Sequence, residues 1–411
     1  MAIAVCETEA DVVAALGFAR ELRLPIAVRG GGHSVAGHGL LDDGLVIDLR
    51  RMRAVEVDPD RRIARAEGGA TWLDLDTATQ RHGLAVAGGT FSDTGVAGLA
   101  LGGGIGYLIG ISGLTCDNIV GARLVTGEGE AVDVSADSDS DLLWALRGGG
   151  GNFGVVTRLD FSLVPVGPMF GGSATYPLED GQMLERYAGI QLDAPDGFVI
   201  LAFARHHAAF GPTVNLDVAS VLDETASRRL VDQITKGATP VDGGLGPTTY
   251  TDVQALNDIL PFGMRHYWKS AFVPELSRDV IGEIVDLVAT RAAGTSGILF
   301  EPIHGAARRN GFDHSPFPQR EARFHISALS IWQDPEDDDR EIAWAREAHR
   351  RVTALGTAGT YVNYVAHDEP VDRASSTYPA AVLERLRLVK GRVDPENRFK
   401  SNINISPVAP G

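Results

Sequence analysis

Three glycine-dense segments carry the chain's strongest chemical suggestion. The first is Arg29, Gly30, Gly31, Gly32, His33 and Ser34, set directly after an apolar run. Without Cβ atoms, consecutive backbone N–H groups can turn into one concavity, which suits an anion such as a pyrophosphate. The second runs from Gly95 and Gly98 to Gly102, Gly103, Gly104 and Gly106, and the third joins residues 148–151 to Asn152, Phe153 and Gly154. Three such loops suggest an extended ligand lying along main chain; the alternative is a set of tight turns and close strand crossings. His33 has neighbours with no side chains to bury it, so its imidazole is placed to meet that ligand. His38 follows five residues later, but no third ligand at fixed spacing accompanies the two, and no metal site is expected.

The elements around these loops mix α and β. Residues 10–22 put Val12, Leu16 and Ala19 on one helical face, with Thr8 as N-cap and Pro25 as the stop. Residues 26–28 and 45–49 read as strands, 71–82 as a helix closed by Gly83, and 141–146 as a short helix entering the third glycine run. The formal G-x-G-x-x-G at Gly149, Gly151 and Gly154 fails as a dinucleotide fingerprint, because it follows a helix and leads into strand-like 155–161. No phosphate-binding G-x-x-x-x-G-K-[ST] loop is present. Of the 49 glycines, 27 fall between Gly30 and Gly154. After about Gly167 the character shifts to strand-like 198–204, 214–222 and 323–332, separated by helical patterns such as 278–291, which predicts a second α+β layer. A helix over 344–355, a strand over 360–365, a helix over 379–390 and a tail over 394–405 finish the chain.

The 411 residues are 44% hydrophobic and carry a formal charge of −17. Such a chain packs a core, and at ~150 residues per domain two domains are expected. An acidic surplus opposes binding to phosphate backbones or anionic membranes, so no nucleic acid and no membrane partner is expected. No apolar run approaches the ~20 residues of a membrane span and no secretory signal is visible at the acidic start, which predicts a cytoplasmic protein. Cys6 and Cys116 are too few for a disulfide framework or a cysteine-built zinc site. His206 and His207 face opposite sides of a strand, and the acids of residues 336–339 read as a solvated helix cap.

Six motifs then appear in order: R-G-G-G-H-S at Arg29, G-V-A-G-L-A-L-G-G-G-I-G-Y at Gly95, G-L-T-C-D-N at Gly113, G-G-G-G-N-F-G-V-V-T at Gly148, Y-V-N-Y at Tyr361 and D-P-E-N-R-F at Asp394. Together, over nearly the whole chain, they resemble the berberine bridge enzyme-like FAD-linked oxidases of the vanillyl-alcohol oxidase and p-cresol methylhydroxylase (PCMH) superfamily. The resemblance implies an α+β fold: a two-part PCMH-type FAD-binding domain (residues 1–165 and 357–411) with an inserted substrate domain (166–356) of antiparallel sheet flanked by helices. It implies FAD held by a single covalent link from His33 to the flavin 8α-methyl carbon, a substituent that raises the flavin's potential. It also implies cofactor contacts from Arg29, Gly30, Gly31, Gly32, Ser34 and His38 in the first loop. Gly88, Thr94, Gly95, Gly98, Gly102, Gly104, Gly106 and Asp117 follow around the second. Gly151, Asn152, Gly154 and Val156 join from the third, and Asn363 and Asn402 from the C-terminal part. Many relatives carry a second, cysteinyl tether at a position that is Phe91 here, so one covalent bond is expected, with Cys116 a buried structural thiol.

The resemblance assigns the catalytic base to the tyrosine of Y-x-N, which is Tyr361. Strand alternation puts Tyr361 and Asn363 on one face and Tyr364 on the other, against the simpler reading of a core aromatic. A phenol of ordinary pKa ~10 is a poor base at neutral pH, so a positive neighbour or hydrogen bonds must lower it. Thr94 matches a family position associated with oxygen reaching the flavin. Tyr267, Trp268 and Lys269 are candidates to line the substrate pocket, and Arg320 and His325 are candidates by region. The expected function is an FAD-dependent oxidase that takes a hydride from an alcohol, sugar or amine carbon of a small molecule to flavin N5, with O2 reoxidising the flavin to give H2O2. The alternatives are a flavin dehydrogenase with another acceptor and a non-catalytic flavin carrier.

Overall fold

The structure, a computed structural model, describes residues 1–258, 263–357, 359–366, 368 and 373–408. Strands Ala2–Val5 and Ile26–Arg29 flank Leu45–Asp48, both parallel to it. The connecting helix Glu9–Glu21 opens on a capping box in which Thr8 and Asp11 satisfy each other's backbone N–H groups. Its Val12, Leu16 and Ala19 are buried, as a 3.6-residue stripe requires. The same box, Thr71 with Asp74, opens the helix Trp72–Gln80. An antiparallel five-stranded sheet lies alongside in the order Val55–Asp58, Ile63–Glu67, Val155–Ser162, Ile119–Val125, Ala131–Ser135. Its central strand Val155–Ser162 is fed by the third glycine segment, which the helix Ser140–Leu146 enters from the other side.

A seven-stranded antiparallel sheet follows, ordered Asp242–Thr248, Met169–Pro177, Gly211–Ser220, Phe198–His207, Gly297–Pro302, Phe324–Trp332, Arg265–Val273. Period-2 alternation divides each strand between two cores. Phe198, Ile200, Ala202 and Ala204 meet helices Gln182–Asp193, Glu224–Thr235, Arg278–Thr290 and Asp338–Thr353 on one face. Val199 and Leu201 face the core of the N-terminal part on the other. That second face also presents Trp268, Phe272, Leu329 and Ile331, so the sheet stands over the glycine loops. The fold is α+β. Among the described residues no helix is long and apolar enough to cross a membrane.

Two elements differ from the sequence reading. Residues 360–365 form no strand: Gly359, at φ +126°, makes a single bridge to Phe272, and the chain then turns through the 3-10 segment Val362–Tyr364. The helix expected from Trp344 starts at Asp338: of the acids read as a flanking cap, Glu336 and Asp337 form a 3-10 lead-in, while Asp338 and Asp339 enter its first turn, where the helix dipole favours them.

The helix Ala380–Val393 packs against Ser140–Leu146 and returns the chain to the N-terminal part. Lys390, fully buried, donates from Nζ to Asp394 Oδ2 at 2.6 Å, to the Asn152 carbonyl at 2.7 Å and to the Phe399 carbonyl at 2.9 Å. Asn152 completes the clamp by donating to the Ile403 carbonyl at 3.0 Å and accepting from Ile405 N–H at 3.0 Å. The D-P-E-N-R-F tail is thus fastened to the third glycine loop through buried polar groups, all of which are paired.

Candidate functional site

The three loops and the tail enclose a cavity of about 550 Å³, within the range of small-molecule and cofactor sites. Strand Ile26–Arg29 delivers the first loop to it. Gly31 and Gly95 touch backbone to backbone: a Cβ built on Gly31 would lie 2.3 Å from Gly95 N. Only glycine at both positions lets the first two loops close on each other.

Seventeen of the cofactor and catalytic residues singled out from the sequence are on the cavity wall. They are Arg29, Gly30, Gly31, Gly32, His33, Ser34 and His38 from the first loop; Thr94, Gly95 and Gly98 from the second; Gly151, Asn152, Gly154 and Val156 from the third, with Tyr361, Asn363 and Asn402.

Gly88, Gly102, Gly104, Gly106 and Asp117 are not on the wall. Gly88 packs on Trp72 and Gln254, Gly106 on the carbonyls of Gly88 and Gly89, and Gly102 on the Asn363 carboxamide, so these three set the course of the loop. Gly104 acts through its N–H, described below. Asp117 is buried in a salt bridge with Arg320, whose Nη1 also donates to the Ala307 carbonyl at 2.7 Å. That fixes the role of both residues as a clamp behind the second loop. Cys116 is likewise buried and free, and burial pushes its thiol far up. Tyr267 and Lys269 alternate to the helix-facing side, where Tyr267 donates to Asp368 Oδ2 at 2.6 Å, and only Trp268 of that trio reaches the cavity.

Phe91, at the position of the second tether, also lines the cavity, its ring 5.8 Å from that of His33. Sequence reasoning missed two wall residues with chemistry. Asp93 lies 2.7 Å from His33 Nε2 through one carboxylate oxygen, a pairing that no spacing announces because it spans sixty residues of chain. His266 shares a strand face with Trp268, and alternation applied to that segment is the signal that finds it. Burial lowers the His266 pKa from its ordinary value, and the nearby His33 adds to the effect.

Tyr361 is 2% exposed, enclosed by Phe272, Phe317, His325 and Tyr364. Its phenol oxygen accepts from Gly104 N–H at 2.8 Å and from Asn363 Nδ2 at 3.0 Å, while Asn363 also donates to the Leu99 carbonyl. The 3-10 turn, not strand alternation, brings Tyr361 and Asn363 together. Two donors on one oxygen favour the phenolate, but burial outweighs them and, with the charge of Glu301, pushes this phenol above its ordinary value. His325 does not line the cavity: it sits behind Tyr361, with Nδ1 2.6 Å from Glu301.

The donor set fits a flavin dinucleotide. Backbone amides line one stretch of the wall, and Arg29 Nε, Trp268 Nε1 and Asn402 Oδ1 are buried there without a protein partner. Such atoms are costly unless a ligand meets them. A diphosphate answers the amides and the guanidinium, and a flat heteroaromatic ring answers the apolar remainder.

Comparison with known proteins agrees. Residues 1–135 match the FAD binding domain family and residues 360–406 the family described as berberine and berberine like. An FAD-linked oxidoreductase of Dictyostelium discoideum is 30% identical over 97% of this chain and 87% of its own length. The (R)-6-hydroxynicotine oxidase of Paenarthrobacter nicotinovorans is 29% identical over 98% and 91%. The crystal structure of 6-hydroxy-D-nicotine oxidase from Arthrobacter nicotinovorans superposes with a TM-score of 0.90 at 29% identity, covering 99% of this chain and 92% of that one. With glycine loops, donor set and sequence all in agreement, the chain belongs to the berberine bridge enzyme-like family of FAD-linked oxidoreductases.

Proposed function

We propose that this protein is an oxidase that removes a hydride from an alcohol, sugar or amine carbon of a small molecule, with its FAD tethered at His33 and Tyr361 handling the substrate proton. Bound FAD supplies the hydride acceptor at N5, and dioxygen regenerates it with formation of hydrogen peroxide. In this reading residues 1–165 and 357–411 form the FAD-binding unit and 166–356 the substrate unit, in a cytoplasmic protein. Two free, buried cysteines accord with a reducing compartment.

The observation that carries the proposal is the pairing of His33 and Tyr361 on one flavin-sized wall, the phenol held by two N–H donors. For an alcohol or sugar, Tyr361 takes the O–H proton as the hydride leaves, and Gly104 and Asn363 stabilise the phenolate that serves as base. The aromatic enclosure of Phe272, Phe317 and Tyr364 keeps water from that oxygen. Thr94 on the wall and the oxidase names of the relatives at 29% identity support dioxygen as acceptor.

The test is an anaerobic screen of alcohols, sugars and amines for bleaching of the protein's yellow colour, followed by admission of air. One peroxide per substrate oxidised supports the oxidase. Bleaching that air fails to reverse, but an added quinone or dye does, makes it a dehydrogenase.

A further inference from the structure

We propose that Asp93 positions His33 for covalent attachment of the flavin: its carboxylate holds the Nε2 proton and leaves Nδ1 as the nitrogen that bonds the 8α-carbon. This rests on the reading of His33 as the tether. A neutral imidazole carries one N–H, and its tautomer is set by what the ring nitrogens face. His33 Nε2 faces Asp93 Oδ1 at 2.7 Å, so the hydrogen belongs on Nε2 and the lone pair on Nδ1. The Phe91 ring flanks the imidazole, tilted by 44°.

Asp93 is held where it can do this. Ser92 N–H donates to Asp258 Oδ1 at 2.9 Å, the Ser92 carbonyl accepts from Leu73 N–H at 2.7 Å, and the Thr94 carbonyl accepts from Trp72 N–H at 3.0 Å. The backbone on both sides of Asp93 is therefore tied to the first turn of the helix Trp72–Gln80 and to Asp258. A carboxylate orienting an imidazole in this way fixes both ring angle and basicity.

The balance of the step shows why a carboxylate is needed. A bond forms between Nδ1 and the 8α-carbon, while one C–H bond of the methyl group and the Nε2–H bond break. The two protons and two electrons released are taken up by dioxygen, giving hydrogen peroxide. As Nδ1 bonds carbon the ring becomes imidazolium, and Asp93 pairs with that charge before the Nε2 proton departs.

The test adds FAD to flavin-depleted wild-type, Asp93→Asn and Asp93→Glu proteins and follows flavin that stays with acid-precipitated chain. The Asn variant is expected to bind FAD without acid as the wild type does, yet attach it about 100-fold more slowly. Glu, which keeps the carboxylate, is expected to attach it faster than Asn. Equal attachment rates in wild type and Asn, or a Glu variant no faster than Asn, overturn the proposal. Should the Asn variant bind no FAD, the Glu variant decides alone: attachment supports the proposal, and bound but unattached FAD overturns it. A wild type without covalent flavin is a different outcome, one that removes the tether itself.

Discussion

Tyr361 concentrates the tension at the residue scale, since two N–H donors favour its anion while burial and Glu301 oppose it. With the phenol pushed up, it is protonated at neutral pH, and the basic form grows tenfold with each pH unit below its pKa. For an alcohol substrate, kcat/KM is therefore expected to rise by about tenfold per pH unit between roughly pH 7 and 9; a plateau from neutral pH upward would show that Tyr361 is not the base. Tyr361→Phe should lower kcat by about 10²- to 10⁴-fold while flavin content stays the same. Phe91 is near enough to His33 for a second prediction. Phe91→Cys should add a flavin bond to the peptide carrying residue 91, detected as a cross-link between that peptide and the one carrying His33. At this scale the sequence already pointed to His33, Tyr361 and Asn363, through a glycine context and a short motif. Asp93 stayed hidden because its partner lies sixty residues away in the chain, whereas His266 was within reach of strand alternation from Trp268.

At the scale of elements, the C-terminal tail is held by the Lys390, Asp394 and Asn152 clamp, in which lysine and carboxylate are both fully buried. Removing the lysine strands a buried carboxylate, so Lys390→Met should destabilise the fold by roughly 3–5 kcal/mol, read as a lower urea midpoint. Because Asn402 and Ile403 belong to the same tail and line the cavity, the variant's flavin absorbance should shift toward that of solvent-exposed flavin at lower urea than the helical signal is lost. A shift of the urea midpoint below about 1 kcal/mol would mean that the clamp is replaceable. The helix capped by Thr8 was legible from its cap and the helix at residues 71–82 from its periodicity and Gly83, because both signals are local. The turn at residues 362–364 was not: Y-V-N-Y alternates like a strand, and only the approach of Gly104 and Phe272 decides that it folds as a turn. Tyr267 and Lys269 teach the same lesson, since alternation was visible but which face met the cavity depended on the sheet's placement.

Across the whole molecule, the junction between the glycine-rich part and the seven-stranded sheet carries a buried histidine. His304 is 4% exposed, beside Gly110 and Gln191, and burial lowers its pKa to about 4, with Asp196 opposing and Arg309 adding to the effect. The unfolded chain binds this proton near the ordinary value of 6.5 and the folded chain does not, so folding stability falls as pH drops from 6.5 to about 4. The loss is about 3 kcal/mol, and His304→Gln should remove that share of the acid sensitivity, measured as the difference in urea unfolding between pH 7 and 4.5. An unchanged difference would place the acid sensitivity elsewhere. The two-layer α+β plan was readable from the shift in glycine density and strand length, whereas the order of the seven strands, set by long-range pairing, was not. All of these arguments meet at His33, and the mass of the tryptic peptide containing it is the most direct measurement. The account predicts that this peptide from active protein carries the mass of one covalently bound FAD; the same peptide recovered unmodified from active, yellow protein would contradict it.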